Sequence, residues 1–344
     1  MKFAIIGCGN IAKKHVYSIQ KLANGVLVGV SDIDPHVLKD VSVLWNVPGF
    51  DDHQQMIDAL EPDVIVVLTS SGSHANIVKS IAHKVKHIIV EKPLALTIKD
   101  SEEIIKLCKK NSVSLTVVKQ NRFNAPITLT KKLLDEGQLG EIFLGSIRMR
   151  WSRSQEYYEA AAWRGTWKHD GGALANQGIH FIDMLQWLIG DVESVFARAA
   201  NALIKIEAED TIVVVVKFTS GALATIEITT ATRPKDIEGS ISILGRYGSV
   251  VVGGFAMNQL EYLQTESGQT IDTFPDYKMN SSEFAFAHQE FYKIYTDPNH
   301  PQYSGIADGA EALKSIEIIH AIYQSVELKR EVRLDESLAS CLGV

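Results

Sequence analysis

The sequence predicts two domains of different class. Residues 1–120 read as a doubly wound α/β domain on a parallel sheet, and residues 121–344 as an α+β domain on a large open mixed or antiparallel sheet. Three observations predict this. Continuous apolar runs such as Val64-Ile65-Val66-Val67-Leu68 alternate with amphipathic segments in the first part, as parallel strands covered on both faces do. A glycine turn, Gly7-Cys8-Gly9-Asn10-Ile11-Ala12, joins the first apolar run to the first amphipathic segment. Beyond residue 190 the apolar period becomes two, and turn pairs separate short segments.

In order, strands are expected at 2–6, 26–31, 64–68, 87–90 and 114–118, with helices near 11–22, 35–44, 52–60, 74–83 and 99–110. Ligands of such sheets gather at the strand C-terminal ends, which here carry Gly7, Asp32, Thr69-Ser70-Ser71, Glu91-Lys92 and Gln120-Asn121-Arg122. Gly7 permits a tight turn, Gly9 lets backbone approach a phosphate, and Ala12 lets helix and strand pack closely. The helix start at Asn10-Ile11 then offers unpaired N–H groups to an anion. This is the dinucleotide-binding, Rossmann-type pattern. Asp32 ends the second strand, where an acid accepts hydrogen bonds from ribose hydroxyls and repels a 2′-phosphate, so NAD is expected over NADP. Its competing role is to open the turn Asp32-Ile33-Asp34-Pro35.

The second part begins with a helix near 127–136 and a strand at 141–151, then a polar aromatic stretch and a helix near 173–189. Strands follow at 192–199, 209–218, 221–230, 238–245 and 248–252, with Ser220-Gly221 and Tyr247-Gly248 as hairpin turns. Gly171-Gly172 breaks the chain, Asp170 or a glycine caps the helix, and Gly190 stops it. Phe181, Leu185 and Leu188 form an apolar stripe on this helix, while Asn176, His180 and Asp183 fall at i, i+4 and i+7 on another. The varied polar neighbours Arg164, Lys168, Asn176 and Gln177 make that second stripe a site rather than a solvated face. Lys168 reads equally as a solvated loop charge.

Composition narrows the function classes. A net charge of −7, from 34 basic and 41 acidic residues, argues against nucleic acid and basic membrane-surface partners. The first strand begins at residue 2, so no signal peptide is expected, and the apolar runs are too short to span a bilayer. Cys8, Cys108 and Cys341 lack metal-ligand spacing and suit a reducing, cytoplasmic compartment; no metal is expected. No repeat, low-complexity tract or flexible linker separates the parts.

The glycine turn, Thr69 to His74, Glu91-Lys92-Pro93, and a helix histidine followed by Asp183 together resemble the glucose–fructose oxidoreductase/inositol dehydrogenase/MocA-type oxidoreductases over essentially the whole chain. Gln120-Asn121-Arg122-Phe123-Asn124, Trp163-Arg164-Gly165-Thr166-Trp167, Asp170 to His180 and Glu238 to Gly245 are most similar to bacterial UDP-N-acetylglucosaminuronic acid 3-dehydrogenases, which serve surface polysaccharide. Many members of the wider family carry aspartate where this chain has Asn176, and an amide orients an imidazole without stabilising its cation. The resemblance implies Lys92 and His180 as catalytic residues, with either as the base. It implies NAD contacts from Gly7, Gly9, Asn10, Ile11, Asp32, Thr69, Ser70, Ser71, His74, Glu91, Lys92, Gln120, Trp163 and Arg164. It implies nucleotide-sugar contacts from Lys92, Asn121, Arg122, Arg164, Thr166, Lys168, Asn176, Gln177 and His180, and a homo-tetramer. Two alternatives stay open: a dehydrogenase of another sugar or inositol, or an NAD-assisted glycosidase; and a non-catalytic NAD-binding regulator, which would need neither Lys92 nor His180.

Overall fold

The first sheet grows outward from β1 (Lys2–Ile6), an apolar strand buried from Phe3 onward. In this computed structural model, which describes Met1–Val344, the chain then winds through α1 (Ala12–Gln20), β2 (Val26–Ser31), α2 (Pro35–Trp45), β3 (Gly49–Phe50) and α3 (His53–Leu60). It crosses to the other side of β1 as β4 (Val64–Val67), α4 (His74–Ile81), β5 (His87–Val90), α5 (Ile98–Lys110) and β6 (Ser114–Val117). Helix starts follow from local chemistry: Asp34, Asp52 and Thr97 accept backbone N–H groups at the starts of α2, α3 and α5. The strand order β6-β5-β4-β1-β2-β3 is parallel throughout and reverses between β1 and β4. That switch point is where such sheets bind ligands.

The second sheet follows α6 (Ala125–Asp135). Its elements are β7 (Ile142–Arg150), α7 (Gln155–Glu159), α8 (Ile179–Ile189), β8 (Val192–Ala200), β9 (Thr211–Phe218), β10 (Leu223–Thr229), β11 (Glu238–Gly245), β12 (Gly248–Gly253) and β13 (Gln259–Thr265). They pair in the order β13-β12-β11-β7-β10-β9-β8, antiparallel except where β7 and β10 run parallel. α8 lies over one face: a methyl on Gly145 of β7 would meet Ile189 at 2.5 Å. The opposite face stays open. β9 alternates buried Ile212, Val214 and Val216 with exposed Val213 and Val215.

The chain then runs through α9 (Phe286–Tyr295), β14 (Ala307–Asp308), α10 (Gly309–Leu328) and β15 (Val332–Arg333), which pairs with β8. Contacts group Met1–Gln120 with Glu283–Leu313, and Asn121–Ser282 with Lys314–Val344. The expected division at 120/121 therefore lacks a return. The stretch 283–313 goes back to the first unit because β14 adds antiparallel to β6 and α9 packs Tyr292 edge-on against Phe3. Period-based reading also leaves out β13, which pairs with the preceding strand β12, and α9 and α10, whose partners lie far along the chain.

Candidate active site

In the first unit the glycine turn is built as the motif requires. Gly7 has φ +95°, donates its N–H to Ser31 O at 2.8 Å, and sits so close to β4 that a methyl would meet Leu68 C and Thr69 N at 2.8 Å. Nothing lies within 4 Å of the methyl position at Gly9. α1 begins at Ala12 behind Ile11, with no side-chain cap and no acid in its first turn, so its leading N–H groups are left to an anion. Asp32 closes the turn: Oδ2 accepts Cys8 N at 2.7 Å and Oδ1 accepts Asp34 N at 2.9 Å. Each oxygen keeps acceptor capacity for a diol. Burial and the neighbouring Asp32 push the Cys8 thiol up to about 12, which makes it a filler rather than a nucleophile.

Around β4 and β5, Ser73 Oγ lies 2.7 Å from both Thr69 Oγ1 and Ser70 O, shaping the Thr69-Ser70-Ser71 turn. Gln120 is half-buried, and its Oε1 is buried without a hydrogen-bond partner. This orphaned acceptor, the open space at Gly9 and the uncapped helix start fit a dinucleotide. Two expected cofactor contacts read differently. His74 is 1% exposed, with Nδ1 2.7 Å from Pro93 O and Nε2 3.0 Å from Thr69 O, so its ring ties the Lys92-Pro93 turn to the end of β4. Burial, the largest influence, pulls its pKa below the ordinary value. Glu91 is buried as well, and its carboxylate is taken by His15 Nε2 and Lys92 N, both at 2.9 Å. Lys92 itself is half-buried.

In the second unit the long expected helix is two structures. Ala173–Gly178 forms a π-turn and α8 starts only at Ile179. The wider turn breaks the expected stripe of Asn176, His180 and Asp183. Asn176 Nδ2 donates to Asp170 Oδ1 at 2.5 Å, and Asp170 Oδ2 accepts Gly165 N at 2.8 Å. Asp183 is buried in a fork with Arg122, Nε to Oδ2 at 2.9 Å and Nη2 to Oδ1 at 2.7 Å. Arg122, 1% exposed and stacked 4.9 Å from the Trp187 ring, is thus a structural cation and not the expected substrate contact. Asn121 is buried and Thr166 Oγ1 donates to Trp163 O at 2.8 Å. Lys168 is exposed, as a solvated loop charge would be.

Arg164 keeps a donor to spare. Its guanidinium lies 4.3 Å from the Tyr157 ring and 5.5 Å from that of Trp163, Nη1 donates to Tyr157 O at 2.6 Å, and Nε is buried without a partner. Gln177 Oε1 is likewise unpartnered. His180 is half-buried at the start of α8.

Sequence reading passes over what holds this helix. Glu209 Oε1 accepts Leu174 N at 2.8 Å and Tyr323 Oη at 3.1 Å, while its backbone O accepts Ala173 N at 2.9 Å. Burial, reinforced by Asp210, raises its carboxyl to about 7. Asp210 next door is held below the ordinary range, since the backbone N–H groups of Ala202, Leu203 and Ile204 and the Thr211 hydroxyl outweigh its burial. A Glu-Asp pair entering an apolar strand was the available signal.

Residues 1–119 match the NAD-binding Rossmann-fold domain of an oxidoreductase family and 127–251 match the GFO/IDH/MocA C-terminal domain. The chain is 38% identical to the WlbA dehydrogenase of Chromobacterium violaceum, solved with NADH and UDP-GlcNAcA, over 97% of this chain and 95% of that one, at TM-score 0.88. It is 34% identical to the Bordetella pertussis WlbA dehydrogenase, solved with the same pair, over 98% of each chain and also at 0.88. A myo-inositol 2-dehydrogenase of Thermotoga maritima shares 26% over 98% of this chain and 99% of its own. The glycine turn closed by Asp32 and the identity along the whole chain place it in the GFO/IDH/MocA oxidoreductases, as an NAD-dependent dehydrogenase of the sugar and inositol type.

Proposed function

We propose that the chain oxidises the C3 hydroxyl of UDP-N-acetylglucosaminuronic acid to the 3-keto sugar, on the way to a nucleotide sugar for surface polysaccharide such as lipopolysaccharide O-antigen. The observation that carries this is the identity of 38% and 34% to dehydrogenases solved with that nucleotide sugar, against 26% to the inositol enzyme. Arg164 adds chemical support, because a guanidinium with one buried N–H unpaired suits a carboxylate or diphosphate. Bound NAD+ supplies the hydride acceptor. His180 takes the hydroxyl proton, for which it must come within roughly 2.6–3.2 Å of the oxygen. Lys92 donates to the same oxygen as negative charge grows on it. Full-length likeness to an inositol dehydrogenase supports the second reading, a polyol or free-sugar substrate. We also propose that the open sheet face meets further copies of the chain in a tetramer.

A substrate panel decides between the readings. UDP-N-acetylglucosaminuronic acid should exceed UDP-N-acetylglucosamine and myo-inositol in kcat/KM by on the order of 10²-fold or more, because buried donors stay unpaired without the carboxylate. Comparable values for the first two would overturn uronate recognition, and a preference for myo-inositol would establish the second reading.

A further inference from the structure

We infer that His15, on the helix that follows the glycine turn, is a positioning residue: with Tyr292 and His288 it holds Glu91 so that Glu91 fixes the backbone of Lys92. This rests on the reading above, in which Lys92 faces the reacting oxygen.

The chain of contacts is continuous. His15 Nδ1 lies 2.8 Å from Tyr292 Oη, His15 Nε2 lies 2.9 Å from Glu91 Oε1, and Glu91 Oε2 accepts Lys92 N at 2.9 Å. The partners set the tautomer, since a neutral ring that donates from Nε2 to a carboxylate accepts the phenol proton at Nδ1. His15 and Tyr292 are 0% exposed, and Glu91 and His288 are also buried. His288 packs its ring 5.1 Å from that of His15 and brings Nε2 to 3.8 Å from Glu91 Oε1, too far for a hydrogen bond, so it supports the cluster by packing. Burial pushes the Glu91 carboxyl up, but the opposing influences, the His15 hydrogen bond first among them, hold it well below the ordinary range. Burial lowers His288 to about 4, which leaves that ring neutral.

Such an arrangement is costly. A buried carboxylate loses its hydration, and replacing a buried polar cluster by packed apolar groups is often neutral or stabilising. Stability alone does not call for two histidines, a tyrosine and a glutamate here. What the cluster does supply is a fixed link from α1 to the turn that carries Lys92. α9, returning from the far end of the second sheet, completes that link with Tyr292 and His288. The helix that follows the glycine turn is thereby tied to the lysine turn at the end of β5.

The test compares His15→Leu, His15→Gln, Tyr292→Phe and Lys92→Met in the full-length protein. Displacing a catalytic group slightly is expensive, so His15→Leu should lower kcat about 10- to 100-fold while KM and the NADH dissociation constant stay within about threefold. His15→Gln keeps an N–H towards Glu91 and should recover kcat to within about threefold of the unaltered protein. A readout without turnover accompanies these: the labelling rate of Lys92 by an amine-directed acylating reagent in the cofactor-free protein, followed by peptide mass spectrometry, should change at least about threefold in His15→Leu. Should His15→Leu not fold, Tyr292→Phe, which removes one hydroxyl, should lower kcat about 3- to 10-fold and shift the labelling in the same sense. Unaltered kcat, or unaltered labelling, in a folded variant overturns the inference. If instead Lys92→Met turns over at the unaltered rate, it is the reading of Lys92 that falls.

Discussion

At the scale of single residues, Asp32 does two jobs with one carboxylate. It fastens Cys8 N and Asp34 N, and it keeps lone pairs that we propose a ribose takes. Hydrogen bonds to a charged group contribute about 1.5–3 kcal/mol, so Asp32→Ala should weaken NAD binding roughly 10- to 100-fold and improve NADP relative to NAD, as read by fluorescence titration of the reduced cofactors. Equal use of both by the unaltered protein would contradict the assignment. Lys92→Met and His180→Asn test the proposed catalytic residues. Both should keep NAD binding, which rests on the glycine turn, and both should lower kcat. If His180 is the base, its loss should also remove the acid limb of the kcat/KM–pH profile; a persisting limb with a modest rate loss would assign the proton to Lys92 or water.

At the scale of elements, the π-turn ahead of α8 depends on Glu209. Its carboxyl, raised to about 7 by burial, holds its proton more tightly folded than unfolded, so stability from this group is full in acid, falls as pH rises from about 4.5 to about 7, and is level above. Glu209→Gln, which is neutral at every pH, should therefore melt higher relative to the unaltered protein at pH 8 than at pH 5; a pH-independent difference in Tm would refute this. Gly172 gives a sharper case. A methyl there would meet Glu209 Oε2 at 1.9 Å and its backbone O at 2.4 Å. Gly172→Ala should destabilise by about 1–3 kcal/mol through overpacking, seen in urea unfolding. An unchanged midpoint would mean that the π-turn yields freely.

At the scale of the whole molecule, the second sheet leaves Phe143, Leu144, Phe196, Val213, Val215 and Leu223 exposed on β7 to β10. Exposed apolar side chains of this number mark interaction surfaces. The proposed tetramer should appear by light scattering at micromolar concentration, and Val213→Lys with Val215→Glu should dissociate it; a monomer in the unaltered protein would sink the assembly.

The sequence by itself determined the two sheet classes, the glycine turn and the acid at the end of β2, because these are local: a glycine at φ +95° and an apolar run between amphipathic helices need only their neighbours. It also determined five of the seven strands of the first sheet to within a residue or so, leaving out the two-residue strands β3 and β14, and the hairpins near Ser220-Gly221 and Tyr247-Gly248. Tertiary structure decided the polar side chains. Periodicity put Asn176, His180 and Asp183 on one stripe, yet a π-turn capped by distant Glu209 reset the spacing, and Arg122 took Asp183. His74 and Glu91, adjacent to the site in sequence, were turned to buried partners. The reason is common to them: a buried charge or amide is positioned by whichever partner satisfies it, and the partners of Glu91, His74 and Arg122 are His15, Pro93 and Asp183, which no short window along the chain brings together, whereas Asn176 is taken by Asp170 six residues before it.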